Sequence, residues 1–90
     1  MYLHLGKGTV VRSEEIIGIF DLDITSQSHL TRRYLSMAEK AGQVRNAAED
    51  IPKSFVVCDD GKTTRVYLSQ MACATLLKRA EDSVFDLSLV

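Results

Sequence analysis

Ser54-Phe55-Val56-Val57-Cys58, Asp59-Asp60-Gly61-Lys62-Thr63 and Thr64-Arg65-Val66-Tyr67-Leu68-Ser69 form one continuous stretch that decides the fold. The first and last segments are β-branched and aromatic. The middle one is a turn sequence whose Gly61 supplies a residue for positive φ. The stretch therefore predicts a β-hairpin. Ser69 is a good N-cap, and Gln70 to Arg79 has no Gly or Pro and ends in Lys78-Arg79, which favours a helix C-terminus. On that helix Ala72, Cys73, Leu76, Leu77 and Ala80 fall on an apolar side, with Lys78 and Arg79 on the polar one. A hairpin feeding a helix is the unit on which the rest must pack.

Upstream, Tyr2-Leu3-His4-Leu5 reads as a short strand. Gly6-Lys7-Gly8 turns it into Thr9-Val10-Val11-Arg12, which ties the N-terminus into the sheet. Ile16-Ile17-Gly18-Ile19-Phe20-Asp21 reads as a central strand, with Gly18 pointing to a bulge or close packing; a short helical turn over Ser13 to Ile17, capped by Ser13, is the alternative. After Asp21-Leu22-Asp23-Ile24-Thr25 the chain leaves the sheet. Ser26 or Ser28 starts a longer helix that Gly42 ends, with Lys40 in its last turn. Leu30, Tyr34, Met37, Ala38 and Ala41 recur at spacings of three and four and are expected to be its core face, leaving Arg32, Arg33, Ser36, Glu39 and Lys40 outside. Gln43 to Asn46 reads as a short edge strand. Ala47 to Lys53 is a loop whose exit Pro52 restricts. Val84-Phe85-Asp86-Leu87-Ser88-Leu89-Val90 alternates apolar and polar residues as an extended tail would, and that much apolar area calls for docking on its own domain or a neighbour. The whole reads as a small α+β domain over residues 1–82, with a mostly antiparallel sheet of about five strands and two main helices, followed by an apolar tail over residues 83–90.

Ninety residues, 46% hydrophobic and 26% charged, bound the chain to one core. A domain of that size leaves much of its surface exposed, which makes burial between subunits a natural source of stability. Eleven basic and twelve acidic residues give a net charge of −1, which argues against a surface that attracts polyanions as a whole. Nucleic-acid affinity would have to come from a local patch, or from patches summed over copies. Two cysteines make no disulfide framework and no leader sequence is evident, so a cytoplasmic location is expected. No apolar run is long enough to cross a bilayer, and no membrane association is expected.

Residues that could carry chemistry are few. His4 and His29 have no Cys or acid at zinc-ligand spacing, and no Ser is set in a nucleophile elbow. Asp21, Asp23, Asp59 and Asp60 could gather at one sheet end around a cation, but Asp is common in turns for local hydrogen-bonding reasons. Gly6-Lys7-Gly8 lacks P-loop spacing. These observations lead to no enzyme activity, cofactor, metal or small-molecule substrate. What remains is a set of basic residues: Arg32, Arg33, Lys40 and Arg45 on the first helix and its exit, Lys53 and Arg65 flanking the hairpin. Helical arginines donate charge-assisted hydrogen bonds to phosphate, although a solvated helix face has the same pattern.

Several segments resemble a known family. Met1-Tyr2-Leu3-His4-Leu5-Gly6, Val10-Val11, Glu15-Ile16-Ile17-Gly18-Ile19-Phe20-Asp21, Pro52-Lys53-Ser54-Phe55-Val56-Val57 and Leu76-Leu77-Lys78-Arg79-Ala80 are similar, in order, to the extracellular matrix regulatory proteins of the RemA/RemB family of Gram-positive bacteria, the RemB branch more closely. The resemblance implies a cytoplasmic DNA-binding transcription regulator of biofilm matrix genes that assembles as a ring-shaped homo-oligomer, with a fold similar to LytTR-type DNA-binding domains. It implies DNA-binding roles for Arg32 and Arg33, which resemble a basic helical pair, and for Lys53, which resembles the last of a basic run before the hairpin strand; Arg45 is a further candidate. In the RemA branch that run is basic throughout, whereas here its remainder is Asp50-Ile51-Pro52, and Glu15 stands where the RemA branch has a basic residue. Both departures remove positive charge where phosphate contact is expected. Two readings follow: a DNA-binding regulator, or an oligomeric interaction module of the same fold that has lost DNA binding.

Overall fold

The computed structural model describes residues 2–22 and 28–89, the last eight as backbone alone. The chain folds as β1 (Tyr2–Gly6), β2 (Thr9–Arg12), a 3-10 turn at Ser13–Glu15, β3 (Ile16–Asp21), α1 (His29–Lys40), β4 (Val44–Asn46), β5 (Ser54–Asp59), β6 (Thr64–Ser69) and α2 (Cys73–Leu89). This is the expected α+β class, with six strands divided between two sheets. The hairpin forms as read, β5 and β6 pairing antiparallel from Ser54↔Ser69 to Asp59↔Thr64. Its turn is fastened by aspartates: Asp59 Oδ1 accepts from Gly61 N–H (2.7 Å), and Asp60 Oδ1 accepts from Lys62 and Thr63 N–H (2.8 and 2.9 Å). Those backbone bonds hold the Asp60 carboxyl below the usual carboxylate range.

The main sheet has the order β3-β5-β6-β4, antiparallel except where β4 runs parallel to β6. Successive residues of β5 point to opposite faces, and Phe55 to Cys58 are all buried because both faces are covered. Phe55, Val57 and Val66 meet α1, through Ala38 and Leu35; Val56, Cys58 and Tyr67 meet the β1–β2 ribbon and α2, through Leu3, Leu5, Val11 and Leu76. The result is three layers, with α1 on one side of the sheet and the ribbon with α2 on the other.

Four expectations are corrected. First, β3 is an edge strand, not a central one, and the alternative helical turn shrinks to the 3-10 turn before it. Gly18 keeps both of its expected roles. The β3–β5 register shifts between Ile16 and Gly18, and a Cβ on Gly18 would stand 2.7 Å from the Phe20 ring, which stacks on Phe55 at 4.9 Å. Second, β1 and β2 form a separate ribbon. It is joined to the main sheet by side chains and by Ser69, whose buried hydroxyl donates to Leu5 O at 2.7 Å. Ser69 is thereby part of the strand and not a helix cap, so α2 begins at Cys73 instead of Gln70. Third, α2 continues helically to Leu89, where an end near Arg79 and an extended tail were expected.

The fourth correction concerns α1. Its boundaries are as read, with Ser28 Oγ accepting from Thr31 N–H and Gly42 leaving the helix at φ +74°. Its inward face is not. Of the proposed core stripe only Ala38 is buried, at 3% exposure, whereas Leu30 is 75% exposed, Met37 62%, and Tyr34 and Ala41 are also exposed. The inward stripe runs through Thr31, Leu35 and Ala38, rotated about one residue (roughly 100°) from the sequence reading. The candidate cap Ser26, the exit residues Asp23 to Thr25, Val90 and the side-chain docking expected of the tail lie outside the described residues.

Candidate nucleic-acid interface

The four candidate cations do not converge. Arg32 and Arg33 are both exposed on α1, yet neighbouring helical residues diverge by about 100°. Arg33 stands three residues after Leu30 and four before Met37, so it shares their flank. Arg32 occupies the other flank, with Glu39 at helical distance. The side chains of Leu30 and Tyr34 face β3, which leaves Arg32 toward the β4 side. Arg45, exposed on β4, donates from one guanidinium nitrogen to Gly42 O (2.8 Å) and Val44 O (3.2 Å). It thus satisfies a carbonyl just past the α1 C-terminus and holds its remaining donors at the sheet edge. Lys53 sits at the far end of the sheet from the hairpin turn. Its backbone bridges the sheet, N–H to Ser69 O at 2.8 Å and carbonyl accepting from Leu22 N–H at 2.9 Å, while its ammonium is exposed beside Asp50.

A cation that sequence reasoning left out of the site joins Arg45. Lys62, on the hairpin turn, lines with Arg45, Gln43, Thr63 and Thr64 a polar cleft of about 410 Å³ between that turn and the end of α1. Lys62 lies in a turn without periodicity, so only the pairing of β4 with β6 reveals that it comes near Arg45. Arg32, Arg33, Lys53 and Lys62 form no ion pair with any described residue.

Glu15 and the Asp50 loop are built into the fold. Glu15 accepts a hydrogen bond from Arg65 and lies 4.0 Å from Arg12, which also pairs with Glu14 at 3.1 Å. Arg65 in turn rests over the Tyr67 ring, 5.8 Å from its centroid. Glu15 therefore pairs with Arg65, which also lines the cleft beside Arg45 and Lys62. The Asp50 loop is fastened by Gln70, whose side-chain oxygen accepts from Glu49 and Asp50 N–H at 2.7 and 3.1 Å. Beneath Arg65, burial pushes the Cys58 thiol up to about 11, with Arg65 opposing and Glu15 adding to the shift; burial also raises Cys73, whose thiol lies 3.7 Å from Ile19 O. Both cysteines are free, and neither has the depressed pKa of a reactive thiol. Among the described residues no three His, Cys, Asp or Glu side chains are placed to share a metal ion, and Asp23 of the aspartate grouping lies outside those residues. Among the described residues no helix is long and apolar enough to cross a membrane.

Between α1 and β3 lies an apolar groove. Ile17 and Phe20 of edge strand β3 and Leu30 and Tyr34 of α1 form its walls, Phe55 and Val57 its floor, around about 340 Å³.

The family model for RemA-like proteins, described as extracellular matrix regulatory protein A-like, matches residues 2–80, from the ribbon through most of the packed part of α2. The chain is also 33% identical over 81 residues to extracellular matrix regulatory protein B of Bacillus subtilis (strain 168), an alignment covering 90% of this chain and 91% of that protein. Those matches take in both sheets, α1 and every candidate cation, and they establish that the chain belongs to the RemA-like family of extracellular matrix regulatory proteins, on the RemB side.

Proposed function

We propose that the protein is a cytoplasmic DNA-binding transcription regulator of matrix genes. In this reading it grips the DNA backbone through a cationic face repeated around a ring-shaped homo-oligomer. The observation that carries this reading is a group of exposed cations that form no ion pair with any described residue, on a chain of net charge −1: Arg32 and Lys62, with Arg45 beside the latter, and Lys53 and Arg33 farther round, among other exposed lysines and arginines such as Lys40 and Arg79. One copy offers a phosphate backbone only a few contacts. Copies joined in a ring multiply them, because each further contact is made at high effective concentration. Among the described residues no side chain set is arranged for base-edge readout, and backbone or shape recognition suits so sparse a face.

The test is a mobility shift on duplex DNA across a salt series. Wild-type binding weakens steeply with salt, and Arg32→Ala combined with Lys62→Ala flattens the log–log slope by about 0.9 for each phosphate contact removed. The pairing of Glu15 with Arg65 and the acidic Asp50 loop favour a second reading, an oligomeric interaction module without DNA affinity. Absence of any shift at low salt from an intact assembly selects it.

A further inference from the structure

The groove between α1 and β3 is unusual for a chain this small. Leu30, Met37 and Ile17 are each more than 60% exposed, and with Tyr34 and Phe20 they form one contiguous apolar surface, the kind that marks an interaction site. One cation flanks it: Arg33 shares the flank of Leu30 and Met37, whereas Arg32 lies on the opposite flank of α1.

One stretch of this same chain has the opposite character. Glu81 to Val90 contains Glu81, Asp82 and Asp86, no Lys or Arg, and the apolar residues Val84, Phe85, Leu87, Leu89 and Val90. Acidic and apolar, it complements an apolar groove that Arg33 flanks. Through Leu89 it continues α2, which packs on the ribbon side of the sheet, while the groove is on the α1 side. A helix on one face of a sheet does not reach a groove on the other face of its own subunit.

We infer that the groove seats the C-terminal turns of α2, Glu81 to Leu89, from a second copy of the chain, with Arg33 at the rim facing their carboxylates. This rests on the self-assembly invoked above and assigns it two surfaces. Because groove and helix end are different surfaces, the contact is heterologous: every copy gives its α2 end to one neighbour and receives another's, and rotation between copies closes the chain into a ring.

Sedimentation of two full-length variants and of their mixture tests this. Leu30→Asp spoils the groove and keeps the α2 end; Leu87→Asp spoils the α2 end and keeps the groove. Each alone sediments as a single subunit, with wild-type circular dichroism. An equimolar mixture forms a dimer and stops there, since the one remaining groove and the one remaining helix end are both the altered ones. Met37→Asp and Phe85→Asp substitute for any variant that does not fold. If Leu87→Asp keeps the wild-type mass, the inference fails and the assembly reading stands. A mixture that stays monomeric also overturns it, and a wild type that is itself a single subunit overturns both.

Discussion

The two faces of the main sheet are built from similar residues and treated in opposite ways. On the ribbon side Leu5, Val56, Cys58 and Leu76 are completely buried, and Ser69 spends its hydroxyl on Leu5 O. On the α1 side the helix contributes a single buried residue, Ala38, while Leu30, Tyr34 and Met37 stand in the open. A helix commonly turns its apolar stripe inward. Here α1 is rotated so that small or half-buried residues touch the sheet and the large apolar ones flank a groove. Both faces close a core, Ala38 meeting Phe55, Val57 and Val66 on the α1 side, but only the α1 side leaves large apolar side chains of its covering helix exposed.

Substitutions break this contrast in order of size. Leu76→Ala, on the closed face, removes a fully buried side chain at the junction of α2, ribbon and sheet, and costs about 2–5 kcal/mol in urea unfolding. Alkaline pH acts on the same face through Cys58. Its folded pKa is raised from 9.0 to about 11, so the contribution is complete below the unfolded value and is lost as pH rises from 9 toward 11. The loss is about 1.4 kcal/mol per pH unit at its steepest, and Cys58→Ala removes that part of the pH dependence when unfolding midpoints are compared across the range. Leu30→Ala, on the open face, changes the unfolding free energy of the dissociated subunit by no more than about 0.5 kcal/mol, because its side chain is already in water. A large loss from Leu30→Ala in dilute protein would erase the distinction between the faces.

The closed face was readable in advance because its signals are local. Phe55 to Cys58 and Thr64 to Ser69 are apolar runs around an Asp-Asp-Gly turn, and each residue's propensity agrees with the pairing it makes. The open face was not, since periodicity gives the spacing of an apolar stripe but not whether the neighbour that covers it belongs to the same chain. Leu30, Tyr34 and Met37 meet every requirement of a core stripe except contact with their own core. The position of β3 was misread for a similar reason: Ile16 to Phe20 is as apolar as a central strand, and its edge place depends on pairings distant in sequence. Among the cations, Arg32, Arg33, Arg45 and Lys53 are exposed as their sequence contexts implied. Their separation around α1 and the sheet, and the approach of Lys62 to Arg45, follow from tertiary geometry that no local pattern encodes. Glu15 is a further case: its bond to Arg65, fifty residues away, is invisible to local sequence.

Hydrogen–deuterium exchange recorded on dilute and on concentrated wild-type protein tests most directly whether the α1 face is the one reserved for a partner. The account predicts protection that rises with concentration in β3 and in α1, which line the groove, with β1 and β2 unchanged. Exchange in β3 and α1 that is indifferent to concentration, or new protection confined to the ribbon, would contradict it.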